Sequence, residues 1–290
     1  MKNLVPNPVR DTATNIHPTA LVAPGAQLGV GVRIGPWCSV GEHVALGDGV
    51  DLQSHVVVEG HTTLGAGVRA FPFATIGMPP QDLKYRGEPT RVEVGARTLI
   101  REHVTIHRGT PGGGGLTSIG ADCMLMCVVH IAHDCHLGDR NIVANNTMFG
   151  GHITTGEQVF IGGGTAIHQF VRIGRHAAVG GMSGVEGDVI PYGLVMGNRA
   201  RLAGLNLVGL KRRGFTRPQI HALRGAFRLL FRAEGTLGDR IDETELRFAA
   251  EPVVGEVLDF MRADSKRPLC RASTLRDGDI PDDLDDAEAE

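Results

Sequence analysis

The chain has 290 residues, 42% of them hydrophobic, an ordinary composition for a soluble globular protein with room for one large domain and a smaller one. Its 41 glycines and 4% aromatic residues exclude a core filled by large rings, so small aliphatic side chains must pack in some regular way. The formal net charge is -3, but Asp277 to Glu290 carry eight acidic groups and no basic one; the remainder sets 29 basic groups against 24 acidic ones, a surplus too weak to argue for nucleic acid.

In chain order, residues 1-15 read as an N-terminal extension. MKNLVPNPVRDTATN has no apolar core of a signal peptide, and no run in the chain approaches 18 apolar residues, which predicts neither standard export nor a membrane span. The five cysteines at 38, 123, 127, 135 and 270 are odd in number and lack paired spacing, as expected of reduced thiols in a cytoplasmic protein.

From Ile16 an aliphatic residue recurs every six positions, at Val22, Leu28, Ile34, Val40, Leu46, Leu52, Val58 and Leu64, and the pattern runs on to Val185. Four residues after each anchor the side chain is again small or aliphatic, as at Val32, Cys38, Val44 and Val50; only Asn141 clearly breaks this second rule. A hexad with two inward positions describes one flat face of a prism, and three faces make a coil of 18 residues whose strands stack about 4.8 Å apart. The predicted fold is therefore a mainly β protein, a parallel β-helix over 16-191 with a narrow aliphatic interior. Cys38, Cys123 and Cys135 fall at inward positions. Gly29, Gly35, Gly41 and Gly47, beside anchors, are expected where a tight corner demands unusual backbone angles.

Two loops leave the register, 77-93 and 107-118. Ile76 and Val94 are 18 apart, from which the coil phase is expected to survive the first loop. After Pro191 the period ends and a helical domain is predicted for 192-275. Thr216 can cap a helix with Pro218 in its first turn and Ile220, Leu223, Phe227, Leu230 and Phe231 as its apolar stripe. Further helices are expected near 242-250 and 253-264, followed by an acidic disordered tail over 276-290.

Stacking converts sequence distance into spatial distance. His133, His152 and His168 fall within two positions of one another modulo 18, so they are expected to cluster along one edge, and Gly151, 18 residues after His133, puts a backbone N-H one strand spacing away. A histidine beside a free backbone donor suits a base and oxyanion pair. The plain alternative for a histidine on a solenoid edge is a solvated polar residue, and His43, His55, His61, His103 and His136 are read that way. In HIAHDCH, His130, His133 and His136 cannot converge on one metal ion, because residues three apart on a strand point to opposite faces. The same rule leaves Asp134 either orienting His133 or standing as a surface carboxylate. Arg217, His221, Arg224, Arg228 and Arg232 form one helical stripe, either a solvated face or a landing surface for an acidic partner.

QDLKY at 81-85, GEPTRVE at 87-93, IREHVTIHRGT at 100-110, HIAHDC at 130-135, AIHQF at 166-170 and GLKRRGF at 209-215 together resemble the UDP-N-acetylglucosamine O-acyltransferase family that begins lipid A biosynthesis. The resemblance covers about residues 15-265. It implies a left-handed β-helix with a C-terminal α-helical domain, a homotrimer with active sites between neighbouring solenoids, and transfer of a 3-hydroxyacyl chain from acyl carrier protein to the sugar 3-hydroxyl. No metal or organic cofactor is implied. His133 matches the general base and Gly151 the oxyanion donor; Asp82, Lys84, His130, His152, His168, Gln169, Asn206, Arg212 and Arg213 match substrate-binding residues. Gly181 matches a position that helps set acyl length, and Arg199 replaces the histidine familiar at the far end of the chain.

The competing readings are acylation of a 3-amino sugar, the later N-acyltransferase of the same pathway, an acetyl-CoA-dependent hexapeptide acetyltransferase, a zinc-dependent carbonic anhydrase-like enzyme and a non-catalytic scaffold.

Overall fold

The computed structural model describes residues 13-273, so the proposed acidic tail and most of the N-terminal extension lie outside the described residues. The period of six appears as short strands, most of two residues and ending on an anchor: Arg33-Ile34, Ser39-Val40, Ala45-Leu46 and onward. They stack in parallel into three sheets of eleven, nine and eight strands, one per face of the prism. Anchors from Ile34 on are buried, and so are the residues four positions later, including Cys38, Cys123 and Cys135. Asn141, the one such residue that is neither small nor aliphatic, is accommodated by a polar partner. Its Nδ2 donates to Thr155 Oγ1 (2.6 Å) and its Oδ1 accepts from the Val159 N-H (2.7 Å), so neither end is buried unpaired.

The corners resolve differently from the expectation for the glycines. Gly29, Gly35, Gly41 and Gly47 do not have positive φ; two places after Gly29, Gly35 and Gly47, though not after Gly41, the residue is left-handed, and along the solenoid many such residues are not glycine: Trp37 (φ 61°), His55 (59°), Phe73 (65°), Asp134 (58°), His152 (61°) and Phe170 (68°). A left-handed L-residue costs roughly 1-2 kcal/mol. Most such corners are held by their N-H reaching a carbonyl of the preceding coil, as in His55 to Pro36 (2.9 Å) and His152 to His133 (3.0 Å), while those of Trp37 and Asp134 reach threonine hydroxyls. The glycines beside the anchors are there for clearance. A Cβ on Gly29 would lie 2.7 Å from the Asp48 nitrogen, and one on Gly35 2.9 Å from the Gln53 carbonyl carbon.

The coil phase does not survive the first loop. Ile76 stacks on Ile106 and Val94 on Leu64, so the chain advances by one face between 76 and 94. The hexad register persists because the residues between the strands Thr75-Met78 and Arg91-Val94 leave the wall as a loop. After Val185 the first sheet is extended by Gly193-Met196 and, antiparallel to it, Arg201-Leu205. Four helices follow: α1 (Leu207-Arg212), α2 (Arg217-Arg232), α3 (Leu237-Phe248) and α4 (Pro252-Arg262). Thr216 caps α2 in a reciprocal box with Gln219, and Leu223, Phe227 and Leu230 are buried. The helices are tied to the solenoid by Arg175-Glu256 (2.9 Å) and by Arg172, whose guanidinium reaches Asp188 (2.7 Å) and the Phe260 carbonyl (3.2 Å). Among the described residues no helix is long and apolar enough to cross a membrane.

Close stacking yields a prediction. A Cβ on Gly138 would sit 2.6-2.7 Å from the backbone of Gly156 and Glu157, which cannot rotate away. Gly138→Ala is expected to lower the free energy of unfolding by about 1-3 kcal/mol in urea denaturation, as overpacking does; a stability equal to wild type would contradict the stacking account.

Candidate active site

Three consecutive left-handed corners of one edge carry Asp134, His152 and Phe170. Because such a corner turns the backbone, Asp134 does not point away from its neighbour as on a flat strand. Its buried carboxylate folds back to His133, with Oδ2 accepting from Nδ1 at 2.8 Å. This corrects the opposite-face expectation. Thr110 completes the carboxylate: its N-H donates to Oδ1 (2.9 Å) and its hydroxyl to Oδ2 (2.6 Å), while the Asp134 N-H donates to Thr117 Oγ1 (2.8 Å). The glycine-rich loop exists for this contact, since a Cβ on Gly113 would collide with the Asp134 carboxyl group. Neither threonine was singled out from the sequence; the HRGT motif and the loop glycines carried the signal.

With Nδ1 committed to the carboxylate, Nε2 is the free acceptor of a neutral His133. The ring lies directly over Gly151, where a Cβ would be 2.6 Å from Cε1 and 2.9 Å from Nε2. The N-H groups of Gly150 and His152 are spent on the Ile167 and His133 carbonyls, whereas that of Gly151 donates to no acceptor among the described residues. His133 is 11% exposed, enclosed yet reachable.

Two hollows flank it. One, of about 310 Å³, is lined by Gln81, His130, His133, Gly151 and Gln169. The other, of about 510 Å³, is lined by Asp82, Lys84, Thr110, His152, Phe170 and Lys266. Asp82 and Lys84 ride on the loop that leaves the wall, which Arg108 holds through Tyr85 (Nε to the phenol oxygen, 2.9 Å).

His152 meets His133 edge-on at 5.1 Å between ring centres and stacks on Phe170 at 4.5 Å. His130 Nδ1 pairs with Thr105 Oγ1 (2.6 Å), and His107 packs edge-on behind it at 4.9 Å, its buried Nδ1 without a partner among the described residues. His168 does not join the cluster as expected. It lies exposed on the next coil, bonded to Arg267. His136 pairs with Ser118 (2.8 Å) on the adjoining face, apart from His130.

Asn206, Arg212 and Arg213 line neither hollow. Asn206 caps α1 and donates to the His176 carbonyl (2.8 Å), Arg213 donates to the Gln158 carbonyl (2.8 Å), and Arg212 is exposed. Gly181 and Arg199 are exposed as well, and a Cβ on the glycine would lie 3.2 Å from the Gly163 carbonyl oxygen. Arg217, His221, Arg224 and Arg228 form an exposed face of α2; the side chain of Arg232 lies outside the described residues.

Burial keeps the imidazoles neutral. It lowers the pKa values of His130 and His152 and takes His107 down to about 4. For Asp134 burial acts upward, but hydrogen bonds from His133 and Thr110 outweigh it and the carboxyl titrates below its usual range. The site is a carboxylate-imidazole dyad facing an unused backbone donor, an arrangement for moving a proton beside a developing oxyanion. His133, Asp134 and His152 offer donor atoms within 4.8 Å of one another, but a metal there would have to displace the hydrogen bonds that Asp134 accepts from Thr110 and His133.

Fold and site define an acyltransferase of the hexapeptide-repeat class, a left-handed parallel β-helix with helical C-terminal domain. Residues 116-151 match the bacterial transferase hexapeptide repeat, and residues 188-270 match the second domain of UDP-N-acetylglucosamine O-acyltransferase. Among solved structures, the chain is 42% identical to UDP-N-acetylglucosamine O-acyltransferase (LpxA) from Moraxella catarrhalis, covering 88% of this chain and 99% of that one with a TM-score of 0.85. It is 40% identical to LpxA from Acinetobacter baumannii (88% and 99%, TM-score 0.84) and 36% identical to the UDP-N-acetylglucosamine acyltransferase of Arabidopsis (88% and 100%, TM-score 0.79). The chain belongs to the UDP-N-acetylglucosamine O-acyltransferase family.

The depressed histidine pKa values set a pH prediction. The unfolded chain takes up these protons below pH 6.5 and the folded one only at lower pH, so stability is full above pH 6.5 and falls toward pH 4. Urea denaturation at pH 7 and pH 5 should give a clearly lower midpoint at pH 5, and His107→Phe should flatten the difference; equal midpoints for wild type would contradict the neutral assignment.

Proposed function

We propose that the enzyme transfers a 3-hydroxyacyl chain from acyl carrier protein to the 3-hydroxyl of UDP-N-acetylglucosamine, the step that starts lipid A biosynthesis, with His133 as general base. The observation carrying this is the dyad: His133 fixed by Asp134 through Nδ1 at 2.8 Å, above the free Gly151 N-H. A sugar hydroxyl is a weak nucleophile at neutral pH. Nε2 takes its proton as the oxygen attacks the thioester carbonyl, and Asp134 stabilises the imidazolium formed. The tetrahedral oxyanion accepts from Gly151. Its collapse breaks the carbon-sulfur bond, and the imidazolium returns the proton to the thiolate. Asp82, Lys84, His130, His152 and Gln169 surround the reacting groups, with His168 at the outer rim.

Asn206, Arg212, Arg213, Gly181 and Arg199 complete this reading in a homotrimer, where a neighbouring copy presents them to the cleft. Paired guanidinium groups suit the nucleotide phosphates. The exposed Arg217, Arg224 and Arg228, with Arg232, serve as the docking face for the acidic carrier. Five free thiols accord with a cytoplasmic location. No cofactor is needed.

His133→Ala should lower kcat by about 10²-10⁴ with the oligomer intact, the usual weight of a general base; unchanged turnover would remove His133 from that role, and loss of wild-type activity on chelation would favour zinc chemistry. Asp134→Asn should retain the fold and lower kcat. Arg224→Glu with Arg228→Glu should raise KM for the acyl carrier protein several-fold, most at low salt, with KM for the nucleotide sugar unmoved. An unchanged carrier KM would leave α2 as a solvated face.

A further inference from the structure

After α4 the chain turns back onto the solenoid. Ser265 Oγ donates to buried Asp188 (2.6 Å), the carboxylate that also binds Arg172; the Asp188 N-H donates to the Pro268 carbonyl (2.8 Å), and the Cys270 N-H to the Asp188 carbonyl (2.8 Å). The segment is thus pinned on both sides of Lys266 and Arg267. Arg267 Nε donates to the Gln169 carbonyl at 2.8 Å, and its Nη2 meets the His168 ring. Lys266 Nζ stands 4.3 Å from the centre of the Phe170 ring, which is stacked on His152. A residue from the far end of the chain is therefore part of the lining of the larger hollow.

The charges around that hollow differ in how they are satisfied. Asp134 is taken up by His133 and Thr110; Asp82 accepts from the Lys84 N-H (2.9 Å) and Glu88 from the Arg86 N-H (2.8 Å), both within their own loop. Lys84 and Lys266 have no ion-pair partner among the described residues, and both line the same space. An ammonium steadied by an aromatic face on a pinned segment, with no ion-pair partner among the described residues, is arranged to receive an anion. Both substrates of the proposed reaction carry phosphate: the diphosphate of the nucleotide sugar, and the phosphodiester at the root of the carrier's prosthetic arm.

We infer that Lys266 is a phosphate-binding residue of the acyltransfer cleft, acting with Lys84; the inference rests on the function proposed above. Lys266→Met keeps an unbranched side chain of similar length beside Phe170 and removes the charge, and Lys266→Arg restores it. With each substrate varied in turn, Lys266→Met should raise KM for one of them about tenfold, a loss of ~1.4 kcal/mol, with kcat within about twofold of wild type and Lys266→Arg close to wild type. A rise confined to UDP-N-acetylglucosamine assigns the diphosphate, and one confined to the acyl carrier protein assigns the phosphodiester. Unchanged KM values in an active Lys266→Met enzyme overturn the inference and leave the proposed function standing. A fall in kcat that Lys266→Arg shares overturns it in favour of a packing role on Phe170. A wild-type protein that transfers no acyl group to UDP-N-acetylglucosamine overturns the function and the inference together.

Discussion

One constraint shapes the molecule: every coil must lay its N-H groups under the carbonyls of its neighbour while turning three corners, and most corners do so with a residue in the left-handed region. Along most of the solenoid this builds only wall, with His55, Phe73 and His103 stacked as a ladder on one edge. On the edge of Asp134, His152 and Phe170 the same geometry builds chemistry. The corner rotates Asp134 back toward the residue before it, and the 18-residue advance brings Gly151 under that residue's ring. Neither relation requires a special backbone; both repeat at other coils with inert side chains.

Much of this was legible in the chain. Periodicity of six is a packing rule written directly in side-chain size, so the three faces, the inward cysteines and the His133-Gly151 relation followed by counting. The alternation rule failed at Asp134 because it belongs to strands, and Asp134 is a turn residue with positive φ, a conformation that aspartate tolerates but does not dictate. His168 was misplaced because residues that nearly coincide modulo 18 still point differently across a corner; one position separates a ring in the cleft from one outside it. The coil phase after Ile76 could not be read because a loop of twelve extra residues and two more hexads look alike by length. Thr110, Thr117 and Lys266 were not legible because they reach the site through loop closure and a long-range return of the chain.

Electrostatically the site separates its tasks by burial. Asp134 stays charged in a buried setting because hydrogen bonds from Thr110 and His133 replace water, while burial disfavours the charged forms of His107, His130 and His152, which stay neutral. A neutral imidazole backed by a fixed carboxylate can accept a proton and be stabilised once it has it. Arg212, Arg213 and the arginines of α2 line neither hollow within one chain, which is why assembly is part of the functional account.

The most direct test is a crystal structure of the protein bound to UDP-N-acetylglucosamine. The account predicts the sugar 3-hydroxyl at about 3 Å from His133 Nε2, within hydrogen-bond reach, with Nδ1 still on Asp134. A hydroxyl bound out of reach of that ring, or a metal ion seated between His133, Asp134 and His152, would contradict it.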